Sequence, residues 1–297
     1  MTTQAHATDP ETGRTLVDGV DVVGSLSPSR AADFMACPLK YRFRTIDRLP
    51  ETPSAAAVRG TVVHAVLERL FDRPAPERTP DVAVGLLPAA WESVLAAEPG
   101  LAALFEGDEP PVADRAAWLE ECAGLVRRWF ELEDPTRLEP ADRELYVEHV
   151  IDSRLLLRGY VDRLDVAATG EVRVVDYKTG RAPSEQWEAS ALFQMRFYAL
   201  VLWRSTGRVP TLLQLVYLGS GEVLTHAPDE ADLLATERKV EALWTAIDLA
   251  RTTGDFQPNR GRICSWCDHR ALCPAWGGTP PPLPTVELSV PHRPIGP

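Results

Sequence analysis

The stretch Leu155-Leu-Leu-Arg-Gly159-Tyr-Val-Asp162-Arg-Leu-Asp165, followed by Val172-Arg-Val-Val-Asp176-Tyr-Lys178, decides the fold. Thr169-Gly170 lies between the two runs and supplies a turn, so together they read as a β-hairpin. Val172, Val174, Asp176 and Lys178 share one parity and project from one face of their strand. Two apolar residues there lead into two polar ones, so the strand begins in a core and ends in a pocket or at the surface. Asp162 precedes Asp176 by 14 residues. Pairing back across the turn brings the two carboxylates near each other, with the register left open. Close carboxylates repel unless one is protonated or a cation lies between them. Oxygen ligands favour Mg2+ or Mn2+ over zinc. The bland alternative is an ordinary hairpin with charges at its mouth. Against it stands the lysine: the chain has only Lys40, Lys178 and Lys239 among 31 basic side chains.

Working outward, residues 184–203 read as a helix, with Ser184 after Pro183 as its cap. Gln194 and Tyr198 are four apart on it and share a face; the plainer reading is a core tyrosine with a wet hydroxyl. Upstream, residues 59–71 form a second helix, on which His64 lies over Gly60 and beside Leu67 and Phe71. A lone histidine in that setting is most simply a satisfied core residue.

The series Gly60-x3-His64, Gly159-x2-Asp162, Asp176-x-Lys178 and Gln194-x3-Tyr198 resembles the PD-(D/E)XK nuclease superfamily. Gly159-Tyr-Val-Asp-Arg-Leu-Asp165 and Val175-Asp-Tyr-Lys-Thr-Gly180 are closest to its RecB-like exonuclease branch. The resemblance covers roughly residues 25 to 275. It implies an α/β fold with a restriction-endonuclease-like core, a central mixed sheet flanked by helices, and a helical insertion. It implies that His64, Asp162 and Asp176 hold the metal, with the Tyr177 backbone carbonyl as a further ligand. Lys178 would orient or deprotonate the attacking water and offset charge on the phosphorane. Gln194 and Tyr198 would support the site and contact DNA. Asp165 also fits the pattern and reads as structural. Phosphodiester hydrolysis needs an activated water and neutralisation of developing charge, and a bound cation supplies both.

The five cysteines are Cys37, Cys122, Cys264, Cys267 and Cys273. Three form a C-x2-C-x5-C cluster followed by Pro274, and Cys37 lies in Ala36-Cys37-Pro38. An odd count, clustering and an N-terminus without an apolar core speak against a disulfide framework and for a metal site in a cytoplasmic protein. Zn2+ is one candidate; a [4Fe–4S] cluster held by four thiolates is the other. Iron–sulfur members of the RecB-like branch, AddB-type and CRISPR adaptation nucleases among them, carry one cysteine before the core and three after it. That layout implies a [4Fe–4S] cluster on Cys37, Cys264, Cys267 and Cys273, clasping the N-terminal and C-terminal segments together. Closing so long a loop restricts the unfolded chain, on the order of several kcal/mol. Cys122 reads as a buried spare, and His269 as a surface residue.

Composition bounds the rest. The net charge of −12 over 297 residues is unusual for a protein that binds phosphates. Its distribution is uneven: residues 91–150 hold 15 acidic and 5 basic side chains. Residues 28–48 are net basic, and Lys40, Arg42 and Arg44 there, with Tyr41 and Phe43 for stacking, are the expected DNA contacts. No apolar run is long enough to span a membrane.

The expected organisation is a disordered stretch over 1–24, one nuclease domain over 25–276 and a proline-rich disordered tail over 277–297. Within the domain, 28–133 is mostly helical, 144–220 is the catalytic core and 264–273 the cysteine cluster. The expected activity is a Mg2+- or Mn2+-dependent deoxyribonuclease, an exonuclease on single-stranded or frayed ends in repair or recombination. There is no phosphate-binding Gly-x4-Gly-Lys loop, so any helicase motor would be a separate subunit. A non-catalytic scaffold subunit and a zinc-stabilised interaction protein are the alternatives.

Overall fold

The computed structural model describes residues 4–8, 15–106, 110–183 and 185–284. Strands β1 His6–Thr8, β2 Thr15–Val17 and β3 Val20–Asp21 form a small antiparallel sheet. Part of the segment expected to be disordered is therefore structured. Val17 and Val22 bury against Leu156 of the main sheet, and His6 Nε2 lies 2.9 Å from Glu148 Oε1. Residues 1–3 and 9–14 lie outside the described residues.

Strand β4 Gly24–Leu26 leads into helix α1 Pro28–Ala36, capped by Ser27 with Pro28 in its first turn. Helix α2 Pro38–Tyr41 follows, and then a π turn over Arg42–Ile46. Helices α3 Ala55–Leu70, α4 Pro80–Gly85, α5 Leu87–Ala97 and α6 Arg115–Leu132 form one layer. Strands β5 Asp142–Val150, β6 Leu155–Val166 and β7 Val172–Lys178 are the expected hairpin with one strand added before it. The chain then crosses over through α7 Glu185–Thr206 to β8 Leu212–Tyr217, parallel to β7, and turns back in β9 Glu222–His226. Helix α8 Glu230–Thr253 completes the second layer with α1 and α7. Among the described residues no helix is long and apolar enough to cross a membrane. Ser184, the expected cap of α7, lies outside the described residues.

The result is an α/β fold with a mixed sheet between two helical layers. Alternation along the strands sorts side chains between them. Val174 and Val161 face α1, α7 and α8, whereas Val175 and Tyr177 face α3 and α6. Strand β6 is the hub. One edge pairs with β5; the other pairs with β4 at residues 155–157 and with β7 at 163–166. Between those two partners the edge forks open. The tail is partly ordered: Leu283 packs on the core and the Pro281 carbonyl accepts a hydrogen bond from Arg42. Residues 285–297 lie outside the described residues.

Candidate active site

The strand registers put three carboxylates in one row. Arg163 pairs with Val175, so the next position places Asp162 opposite Asp176. On the other edge of β6, Arg143 pairs with Arg163 and Leu145 with Val161, which places Glu144 opposite Asp162. Ladder pairing is interrupted at that rung. Glu144 has φ of +44°, a left-handed backbone that a residue with a β-carbon seldom adopts. Residues so held cluster where function over-determines them.

His64 on α3 reaches the same row from the opposite helical layer. Its Nε2 lies 3.0 Å from the Tyr177 carbonyl. A carbonyl only accepts, so Nε2 carries the proton and Nδ1 is turned to the acids. Nδ1 lies 3.6 Å from Asp162 Oδ2 and 4.0 Å from Glu144 Oε1. Among the described residues, His64, Glu144 and Asp162 are the one group of three potential ligands whose donor atoms all lie within 4.8 Å of one another. The Tyr177 carbonyl, expected as a metal ligand, is the acceptor that fixes this imidazole.

Gln194 ties the far side together. Its amide nitrogen donates to Asp176 Oδ1 at 2.8 Å, and its amide oxygen accepts from Lys178 Nζ at 3.0 Å. Tyr198 Oη lies 3.2 Å from the same nitrogen. Lys178 Nζ is also 2.6 Å from Asp176 Oδ2. That contact is an ion pair without hydrogen-bond direction, and Asp176 Oδ2 stays buried with no well-formed hydrogen bond. Asp162 Oδ2 accepts the Tyr177 backbone N–H at 2.7 Å. Gly159 has a direct structural reason: a β-carbon there would lie 2.6 Å from the Tyr198 ring.

The electrostatics follow from crowding acids in a buried place. Burial, then the Asp176 charge, push Asp162 up to about 6, with His64 pulling the other way. Burial and then Asp162, Glu68 and Asp176 push Glu144 up to about 8. Burial works against the Lys178 ammonium, yet Asp176 and Asp162 outweigh it and raise its pKa. Three acids and one imidazole lone pair form a donor set that suits a hard divalent cation.

Behind the row, Tyr177 points into the helical layer. Arg163 is buried and binds Glu133 at 2.7 Å and the Tyr177 hydroxyl. Gln214 Nε2 reaches the same Glu133 at 3.1 Å. Asp165 pairs with Arg163 and Arg173, the structural role read for it.

Cys37, Cys264, Cys267 and Cys273 line one cavity walled by Leu39, Phe43 and Ile263. Backbone N–H groups of Asn259 and Gly261 point at the sulfurs of Cys37 and Cys264 at 3.4 and 3.5 Å. No three of the sulfurs come within 4.8 Å of one another. His269 is not a surface residue: it is 4% exposed, edge-on to Phe43, with Nε2 3.1 Å from Glu51. Cys122 is buried in the helical layer, its thiol pushed up to about 12 chiefly by burial.

Of the expected DNA contacts around Cys37, the aromatic ones and Arg42 are buried, whereas Lys40 and Arg44 stay partly exposed. Tyr41 is buried against Phe34 and Phe43 is buried as well, so neither offers a face to a base. Arg42 is buried and paired with Asp47 at 3.0 Å. Lys40 and Arg44 both pair with Asp33, and Arg44 also pairs with Glu51. Asp33 and Asp47 lie in the same stretch, and what the local sequence did not show is that they fold onto these basic residues. Glu144 is the site residue that sequence reasoning missed. Its signal was an acid at the start of a strand, 18 residues before Asp162.

The model of the PD-(D/E)XK nuclease superfamily matches residues 25–274. The Gene 69 protein of Mycobacterium phage D29 is 29% identical over 196 residues, covering 61% of this chain and 70% of the phage protein. A crystal structure of a candidate exonuclease from Eubacterium rectale has a TM-score of 0.53 at 12% identity. It covers 82% of this chain and 87% of that one, and at that identity it speaks to the fold. A family match spanning the whole described core, over a row of acids ending in Asp176-Tyr-Lys178, leads to one conclusion: the chain belongs to the PD-(D/E)XK nuclease superfamily.

Proposed function

We propose that the protein is a Mg2+- or Mn2+-dependent deoxyribonuclease that hydrolyses single strands or frayed ends from a terminus. The observation that carries this is the row Glu144–Asp162–Asp176, with His64 Nδ1 at one end and Lys178 Nζ at the other. Asp162, Asp176, His64 and Glu144 would hold the cation. Bound there, it would supply Lewis acidity and a lowered pKa for water.

The chain's own groups do the rest. The Tyr177 carbonyl fixes the His64 tautomer, so its Nδ1 lone pair stays aimed at the acids. Gln194 holds Lys178 Nζ beside Asp176 through its amide, a two-ended contact that fixes the ammonium's position. From there Nζ is placed to orient a water or to balance charge on the phosphorane. Asp176 and Asp162 raise the pKa of the ammonium against the pull of burial, in keeping with the charge-balancing role. The test is cleavage of end-labelled single-stranded and duplex DNA with Mn2+, Mg2+ or EDTA, beside Asp176→Ala. Cation-dependent cleavage that the variant lacks is expected; equal cleavage by both would refute the site.

We further propose a [4Fe–4S] cluster on Cys37, Cys264, Cys267 and Cys273. Four thiols lining one cavity, one from before the nuclease core and three from after it, support it. The cluster would clasp α1 and α2 to the segment after α8. The clasp has a second tie, because Asp268 Oδ2 accepts the Thr52 N–H at 2.9 Å and His269 meets Glu51.

A further inference from the structure

On the other face of the sheet, directly behind the acidic row, lies a buried polar cluster that the proposed chemistry does not use. Arg163 on β6 and Gln214 on β8 stand on either side of Val175. That rung adjoins the one that holds Asp162 and Asp176. Glu133, at the C-terminal end of α6, reaches over both. Its carboxylate accepts two hydrogen bonds from Arg163, at 2.7 and 2.9 Å. It accepts a third from Gln214 at 3.1 Å and a fourth from the Trp129 indole N–H at 2.7 Å. Arg163 also donates to the Tyr177 hydroxyl, and its Nε faces Asp165 at 3.1 Å. One side chain from the helical layer therefore holds three neighbouring strands, β6 and β8 directly and β7 through Arg163 and Tyr177.

Such a cluster is a costly way to stabilise a fold. Arg163 is 1% exposed, and the Glu133 side chain 7%. Two charges taken out of water recover that cost only with near-complete bonding, and an apolar set of similar volume often serves stability as well. The helix dipole also opposes an acid at the C-terminal end of α6. What a bonded pair supplies, and an apolar contact does not, is direction. Direction matters at this place in the sheet. A slip of one residue between β6 and β7 would send one member of the Asp162–Asp176 pair to the opposite face and break up the row.

The link from cluster to row runs through Tyr177. Its backbone N–H donates to Asp162 Oδ2 at 2.7 Å, and its carbonyl accepts from His64 Nε2 at 3.0 Å. Its chain neighbours are Asp176 and Lys178. Holding the Tyr177 side chain from behind fixes the two peptide groups that touch Asp162 and His64, and with them the start of the Asp176 and Lys178 side chains. Resting on the cation site proposed above, we infer that Glu133, Arg163 and the Tyr177 hydroxyl are positioning residues for it. They hold β6, β7 and β8 in the register at which Asp162, Asp176 and His64 meet one cation. Partners behind metal ligands set ligand orientation and affinity in this way. Helix α6 thereby belongs to the support of the acidic site.

The test is the Mn2+ affinity of the full chain, read from the paramagnetic resonance of free Mn2+, beside the urea midpoint of the same proteins in EDTA. Glu133→Gln keeps the shape of the side chain and removes the charge that Arg163 pairs with. It should weaken Mn2+ binding roughly 10-fold, as loss of a partner behind metal ligands does. Tyr177→Phe removes one hydroxyl and leaves the Arg163–Glu133 pair in place. It should weaken Mn2+ binding in the same direction, and it decides the matter if Glu133→Gln fails to fold. In both variants cleavage should fall at low Mn2+ and recover in part as Mn2+ is raised. A cluster that only stabilises the fold would lower the urea midpoint and leave the Mn2+ affinity of the folded variants at the wild-type value. That result would overturn the positioning role, while Mn2+ binding and cleavage by wild type leave the nuclease reading standing. Wild-type protein that binds no Mn2+ would overturn the cation site and this inference with it.

Discussion

Glu144 and Asp162 face each other on neighbouring antiparallel strands, at the one rung of the β5–β6 ladder where pairing is interrupted. Their acid groups, with His64 Nδ1, converge within 4.8 Å. Such a rung is poor sheet: like charges opposite one another destabilise a strand pair, and Glu144 carries left-handed backbone in addition. The arrangement makes sense when a cation sits among the acids.

If Glu144 is part of that cation site, its loss should be felt first in metal affinity. Glu144→Ala is expected to weaken Mn2+ binding roughly 10- to 100-fold, at least as much as loss of a supporting residue around a metal. Isothermal titration of Mn2+ into wild type and variant checks it. Unchanged affinity would return Glu144 to a purely structural role.

The same acids set a pH dependence for the metal-free protein. Asp162 and Glu144 are raised to about 6 and about 8 from 3.8 and 4.5. A carboxyl with a raised folded pKa binds its proton more tightly when native than when unfolded. The stability it contributes is complete below its unfolded pKa and is lost as pH rises through the folded one. In EDTA, the thermal midpoint should therefore fall between about pH 4 and pH 8. Glu144→Gln should fall less across the upper part of that window. Scanning fluorimetry of both proteins reads the difference, and parallel curves would contradict the assignment.

Much of this site was legible in the sequence because it rests on strand parity. Asp176 and Lys178 had to share a face, and Gln194 and Tyr198 had to share a helix side; the structure joins the two pairs through one amide. What sequence could not show was which side chains fold against which. Glu144 depends on the β5–β6 register. Tyr41 and Arg42 looked available only because Phe34 and Asp47 are not visible as their covers. Glu133, counted within an acidic block, is half of a buried pair with Arg163. The short N-terminal strands escaped notice because three residues show no period, and they hold through Val17 and Val22 on Leu156.

Gly159 offers a packing test. A β-carbon there meets the Tyr198 ring at 2.6 Å, and overpacking of this kind costs about 1–3 kcal/mol. Gly159→Ala should lose about that much in urea unfolding, and adding Tyr198→Ala should recover part of it by removing the ring. Additive losses in the double variant would show that the two do not meet.

The clasp makes a separate claim. Cys267→Ala, purified without oxygen, should lose visible absorbance and iron and should melt at a lower temperature, because the tie between residues 37 and 264–273 is gone. Colourless wild-type protein with one equivalent of zinc would overturn the iron–sulfur proposal and leave the acidic site untouched.

The central claim is tested most directly by single-turnover cleavage of end-labelled single-stranded DNA by Lys178→Ala at saturating Mn2+, with cation binding measured on the same sample. Lys178 ends the row and is not among the residues that would hold the cation. The expected result is a rate lowered by about 100- to 10,000-fold with Mn2+ still bound. Cleavage at the wild-type rate, with the cation bound, would contradict the role given to Asp176-Tyr-Lys178.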